Sequence, residues 1–285
     1  RIQAMSDTLE ELFDNTDWGS ETVRATTLAN AARIGLTHTL LEEMSDVDLP
    51  EDLPVWESAQ SQQRLSIIIP TLNEAEHIDK TLDAVLQAEN IEVIIADGGS
   101  TDDTAARAEA RGVRVVQAPK GRAMQMNAAA EKANGELLLF LHADTLPPTE
   151  YANLIRRHLA FPKNAAGAFR FAIDAPGWPY RYLEWTANIR STRLNMPYGD
   201  QGLFLRRGTF QEIGGFPNEP VMEDYLLIRK LRQEGNIVTT RQPAQTSARR
   251  WEKRGVLNTT LRNITAYFAY PLGVSPTTIA KWLGR

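Results

Sequence analysis

The sequence has no cysteine, which excludes a disulfide framework, a thiolate zinc site and a cysteine nucleophile, and fits a reducing compartment. It also lacks a run of about 20 apolar residues able to span a bilayer. Its first residues, RIQAMSDTLEELFD, carry no signal-peptide pattern, so a cytoplasmic protein without a transmembrane segment is expected. An excess of positive charge is missing too: 31 Lys and Arg against 36 Asp and Glu leave a net charge of -5, and no nucleic-acid partner is expected. Repeats and low-complexity tracts are absent. What is present is an ordinary globular composition, 42% hydrophobic and 24% charged over 285 residues, enough for one large α/β domain or one domain plus a fragment of another. Because the chain starts at Arg1 rather than Met, it is expected to be the later part of a longer product.

Residues 1–60 form an N-terminal extension of distinct composition, with acidic runs and the linker-like segment SDVDLPEDLPVWESAQSQQ. Within it, Val23, Leu28, Ala31, Ala32, Ile34, Leu36, Leu40 and Leu41 predict a helix that turns at Gly35 into a short strand. This is too little apolar surface for a core of its own. From a boundary near Arg64 the pattern changes to short β-rich runs, LSIIIP, IEVIIAD, VRVVQAP and GELLLFLHAD, alternating with helical segments. That alternation predicts a mostly parallel sheet flanked by helices over residues 64–255, more irregular in its later half. A helical segment, 256–285, closes the chain, with an apolar stripe at Leu257, Leu261, Ile264 and Phe268 that suits a core or homodimer face. Tyr267, Tyr270 and Trp282 would also suit peripheral contact with a membrane's inner face.

In an open parallel sheet, ligands bind at the carboxyl ends of the strands. Here the residues after the apolar runs are polar: Pro70-Thr71-Leu72-Asn73-Glu74, Asp97-Gly98-Gly99-Ser100-Thr101-Asp102-Asp103 and His142-Ala143-Asp144. Alone, the second reads equally as a tight turn with Thr101 as helix N-cap. Lys120-Gly121-Arg122 sets two cations at a helix start, where phosphate is favoured, although such clusters are often solvated surface.

The constellation resembles glycosyltransferase family 2, over about Leu65 to Trp251. The resemblance implies a GT-A (Rossmann-like) fold with an irregular, acceptor-binding C-terminal half. It also implies sugar transfer from a nucleotide-diphosphate sugar, UDP-linked by expectation, to a small-molecule or lipid acceptor hydroxyl. By resemblance Glu74 and Asp97 take the nucleoside, beside Pro70, Thr71 and Gly98, while Lys120, Arg122 and Arg250 face the diphosphate. His142-Ala143-Asp144 lies where the family carries a D-x-D sequence; the histidine departs from it, leaving Asp144 to hold Mg²⁺ or Mn²⁺. Asp224 would be the base of an inverting transfer, with Glu223 either beside it or merely a first-turn helix charge. Gly199, Asp200 and Gln201 would line the acceptor side. Ser247-Ala248-Arg249-Arg250-Trp251 is similar to the Q-x-x-R-W sequence of processive members with serine for glutamine, which argues against a polymerase; Trp251 would meet the acceptor or simply pack.

The series GRAMQMN, FLHADTLPP, MPYGDQGLFLRR and VMEDYLL resembles a bacterial subfamily associated with arsenosugar biosynthesis more than it does cellulose- or chitin-synthase relatives. Residues 11–57 resemble the tail of a nucleotidyltransferase-related GT-A-like domain fused upstream. Two other readings stand beside the transferase. A sugar-phosphate nucleotidyltransferase would carry a glycine-rich basic first loop, which PTLNEAEH is not; an inactive nucleotide-sugar-binding module is suggested by the residues that depart from the family.

Overall fold

The computed structural model describes residues 11–18, 20, 22–37 and 62–284, and the chain divides into two compact units, Arg1–Asp52 and Leu53–Arg285. In the first, helix α1 (Val23–Arg33) buries only Ala31 among its described residues. It is tied down by polar contacts: Asn30 Nδ2 donates to the carbonyls of Leu12 at 3.1 Å and Asp14 at 2.8 Å. The expected strand after Gly35 and the linker lie outside the described residues.

The second unit opens with β1 (Leu65–Thr71), α2 (Ile78–Val85), β2 (Ile91–Asp97), α3 (Thr104–Ala110), β3 (Arg114–Gln117), α4 (Arg122–Glu131) and β4 (Leu137–Phe140). β5 (Thr145–Leu146), α5 (Tyr151–Leu159), β6 (Asn164–Asp174), α6 (Trp178–Arg193), β7 (Leu203–Arg206), α7 (Arg207–Glu212), α8 (Glu223–Glu234) and β8 (Asn236–Ser247) follow. Helices α9 (Arg249–Arg254), α10 (Val256–Ala269) and α11 (Pro276–Leu283) end the chain. One sheet carries the strands in the order β3-β2-β1-β4-β7-β6-β8-β5. The β1–β2, β1–β4 and β2–β3 ladders are parallel. β7 then pairs antiparallel with both β4 and β6, and β5 antiparallel with β8, while β6 and β8 are parallel. The mixed part is the irregular half foreseen from the sequence.

β1 reads as a continuous apolar run because both its faces are covered. Ile67 and Ile69 pack with Ile78, Leu82 and Val85 of α2 and Ile155 of α5. Ile68 points the other way, into a core shared with Ile94, Met126 and Ala129 of α4, and Leu227, Ile228 and Leu231 of α8. Complete burial of each such side chain stabilises by about 1.5–3 kcal/mol, which fixes α4 and α8 on the same face and brings their N-termini to the strands' carboxyl edge.

Two local expectations need correction. The N-cap of α3 is Asp103, not Thr101. On α10, Leu261 and Ile264 are exposed, so the stripe is not core; Ala266 and Ala269 pack instead against Ile279 and Ala280 of α11. The side chains of Leu257 and Phe268 lie outside the described residues.

Gln125, on α4, stitches the strand ends together: its Nε2 donates to the carbonyls of Thr71 at 2.7 Å and Ala96 at 2.8 Å. In urea unfolding, Gln125→Ala is expected to lower stability by about 1–3 kcal/mol through a lower midpoint at unchanged m-value.

Candidate active site

Because β1, β2 and β4 run parallel, with Thr71 opposite Asp97 and Ile68 opposite both Ile94 and Phe140, their carboxyl ends share one edge. The residues there form three groups.

The first is built around Asp97. Its Oδ2 accepts from the backbone N–H of Gly99 (3.1 Å) and Ser100 (2.9 Å), and its Oδ1 accepts from the hydroxyls of Ser100 (2.5 Å) and Thr71 (3.1 Å). Burial pushes the carboxyl upward, but these donors together outweigh it and hold Asp97 below the usual carboxylate range. The Asp97 carboxylate thus organises the bend after β2, without Thr101 as the cap of α3. Gly98 is required by close packing: a Cβ there would lie 2.9 Å from Gln125 Nε2. Pro70 is buried in β1.

The second group was not foreseen. Arg249, at the start of α9, spans two carboxylates, with Nη2 2.6 Å from Glu74 Oε1 and Nε 2.9 Å from Asp144 Oδ2. Ser247 N–H donates to the Asp144 carbonyl at 3.0 Å, and Ala143 is buried with its carbonyl accepting from Thr81 Oγ1 at 2.7 Å. The residues as they stand do not fit a divalent cation. A guanidinium covers Asp144, and among the described residues no group of three or more His, Cys, Asp or Glu could hold a metal.

The third group lines a cleft of about 130 Å³: Arg122, His142, Asp200, Glu223, Asp224 and Arg250, foreseen from the sequence, with Tyr198, Tyr225 and Tyr267. α4 and α8 aim their first turns at each other here. Arg122 Nη2 lies 2.6 Å from Glu223 Oε1, whose side chain is 3% exposed. Gly199 N–H donates to Asp224 Oδ2 at 3.2 Å, and a Cβ on Gly199 would stand 2.6 Å from that oxygen, so only glycine allows the approach. Burial first, then the neighbouring Glu223 carboxylate, pushes the Asp224 carboxyl up to about 7 against the opposing pull of Arg122. Met222, just ahead of the pair, sits in the left-handed region at φ +68, a conformation that costs a non-glycine residue about 1–3 kcal/mol.

Other expected residues fall elsewhere. Gln201 is fully buried; its Nε2 donates to the Phe169 carbonyl at 2.9 Å and its Oε1 accepts from Tyr198 N–H at 3.2 Å, so it shapes the turn instead of facing the cleft. Lys120 is exposed ahead of α4. Trp251 is buried against Phe171 at 6.1 Å between ring centroids. Asn127, unassigned by sequence, pins the loop after α7 through Phe216 N–H and carbonyl.

Comparison with known proteins agrees with this architecture. Glucosyl-3-phosphoglycerate synthase of Mycobacterium tuberculosis is 33% identical over 106 residues, 32% of each chain, so the matched segment spans about a third of that relative's length. The structure of the same enzyme with Mn²⁺, uridine diphosphate and phosphoglyceric acid superposes with a TM-score of 0.53 at 18% identity, covering 78% of this chain and 83% of the other. A mannosyltransferase from Pyrobaculum calidifontis, solved with GDP-Man and Mn²⁺, gives 0.55 at 23% identity, covering 78% and 68%. These likenesses establish the GT-A fold. The family model for glycosyl transferase family 2 matches residues 66–216, more than half of the 285, and the chain belongs to that family.

Proposed function

We propose that the protein transfers a sugar from a nucleotide-diphosphate sugar to an acceptor hydroxyl, with Asp224 as general base. The observation that carries this reading is the buried Asp224 carboxyl, raised to about 7 and lining one cleft with Arg122, His142 and Arg250. A carboxyl with that value is half ionised at neutral pH, where a base both holds a free lone pair and retains driving force for proton transfer. In the step, the acceptor oxygen bonds to the anomeric carbon while the bond from that carbon to the diphosphate breaks. The acceptor proton passes to Asp224, and the nucleoside diphosphate leaves with the bonding electrons. Attack opposite the leaving group inverts the anomeric configuration.

The leaving diphosphate accumulates negative charge, and the guanidinium groups of Arg122 and Arg250 on the same cleft suit it. Glu223 keeps Arg122 in place through its ion pair and, as a neighbouring anion, helps raise Asp224. Asp97 supports the donor side through the turn it organises. Divalent cations bound to the solved relatives are a property of those proteins; here Asp144 would be free for a cation only after Arg249 leaves its Oδ2. Membership of the arsenosugar-associated subfamily belongs to this proposal and rests on the sequence segments GRAMQMN and VMEDYLL.

Release of UDP from UDP-glucose and UDP-N-acetylglucosamine, and of GDP from GDP-mannose, with water as acceptor, provides the assay. The rate is expected to rise with pH around a midpoint near 7, the value of Asp224. Asp224→Asn should lower it by about 10²–10⁴-fold while nucleotide binding, followed by calorimetry, persists. Absence of binding to all three nucleotide sugars by folded protein would overturn the proposal.

The same carboxyl makes a stability prediction of defined sign. Its folded value lies above the unfolded one near 3.8, so the folded state holds the extra proton between these pH values and stability falls as pH rises from about 4 to 7. Asp224→Asn removes that loss. It should stabilise the protein at pH 8, by up to about 4 kcal/mol for a shift of this size, and change little below pH 4, as read by thermal unfolding at the two pH values.

Gly199→Ala pushes a methyl group into Asp224 Oδ2 and is expected to reduce kcat while leaving nucleotide affinity near wild type.

A further inference from the structure

Beside the catalytic cleft lies a larger, mostly apolar groove of about 280 Å³ between α6 and α10. Its floor is Phe171 and Trp251, its sides Leu183 and Ala187 from α6 and Ile264 from α10. None of the residues singled out in the proton-transfer step explains it. The two spaces adjoin: Tyr198, Asp200 and Tyr267 line both. At this junction Asp200 Oδ1 is buried without a hydrogen-bond partner among the described residues, an unusual state for a buried carboxylate oxygen. Arg190 covers the other side, its guanidinium 3.3 Å from the Tyr198 ring centroid.

The outer surface continues the apolar character. Trp178, Tyr182, Trp185 and Ile189, spaced four, three and four residues along α6, are exposed, and Tyr182 stacks on Trp185 at 6.0 Å. Leu261 and Ile264 are exposed on α10. Exposed apolar residues aligned in this way mark a binding surface more often than scattered ones do. A cavity of about 150 Å³ is enough to hold benzene, so the groove takes a body of ring size or more.

We infer that the acceptor is amphiphilic, its hydroxyl entering at Asp200 toward Asp224 and its apolar body lying between α6 and α10. This rests on the transferase reading, since shared walls with the cleft identify the occupant as the acceptor. Ligand sites of this kind combine an apolar lining with a few converging polar groups that set orientation; Asp200 and Arg190 are those groups. The acceptor hydroxyl donates to Asp200 Oδ1 and is held within reach of the base. The exposed α6 stripe takes the part of a long apolar chain that extends beyond the groove.

Methyl and octyl β-D-glucopyranoside share a polar head and differ only in apolar length. Titrated into the full chain by calorimetry, with the octyl compound below its micelle threshold, the octyl glycoside is expected to bind at least about tenfold more tightly. Ala187→Trp, which fills the groove, and Ile264→Glu, which charges its rim at an exposed position, should each bring the octyl compound down to the methyl level. UDP binding in the same samples is expected to be unchanged, showing that both variants are folded. Equal binding of the two glycosides to the wild type overturns the inference, as does octyl binding that survives in both variants. UDP-glucose binding without alkyl preference would sink the groove and leave the transferase reading standing. Alkyl preference without binding of UDP-glucose, UDP-N-acetylglucosamine or GDP-mannose would do the reverse.

Discussion

The ion pair between Arg122 and Glu223, 2.6 Å apart with the carboxylate almost wholly buried, is the interaction on which the site depends. Two consecutive carboxyls, Glu223 and Asp224, are carried into the interior by the apolar face of α8, and two neighbouring buried anions repel each other while losing hydration. Arg122 neutralises one of them. The other then bears the remaining cost, visible as the raised Asp224 carboxyl. Breaking the pair would leave a buried charge uncompensated, a far larger loss than an exposed salt bridge represents.

That arrangement is possible because two helices meet end to end. α4 and α8 are anchored on one sheet face through Met126, Ala129, Leu227, Ile228 and Leu231, and their N-termini converge at the strand edge. The left-handed Met222 and the close approach of Gly199 to Asp224 are local costs sustained by that packing. Stability surrendered at a functional cleft and supplied by the core is a common pattern in enzymes.

A second electrostatic element, Arg249 across Glu74 and Asp144, joins the ends of β1 and β4 to the chain after β8. It uses carboxylates that the family resemblance assigned to the donor and to a metal. In this structure one guanidinium thus holds both carboxylates and ties these strand ends to α9.

Much of the fold was legible along the chain because its signals are local. Continuous apolar runs bounded by polar turns marked β1, β2 and β4. His142 and Arg122 stand at such boundaries, whereas Asp224, Glu223, Asp200 and Arg250 were named through the family resemblance of their short segments; all six line one cleft. Gln201 misled because a polar residue in a turn does not reveal which way its side chain faces; it points into the protein. Arg249, Gln125 and the α6–α10 groove left no local trace.

The sequence by itself determined the alternation of strands and helices and the chemical groups at the strand ends, since periodicity and turn chemistry act between residues close along the chain. Only the tertiary structure decided which charges are buried together, which carboxylate holds its proton near neutrality and which apolar walls enclose a space. Those properties come from distances between residues as far apart as Glu74 and Arg249, and from the water excluded between them.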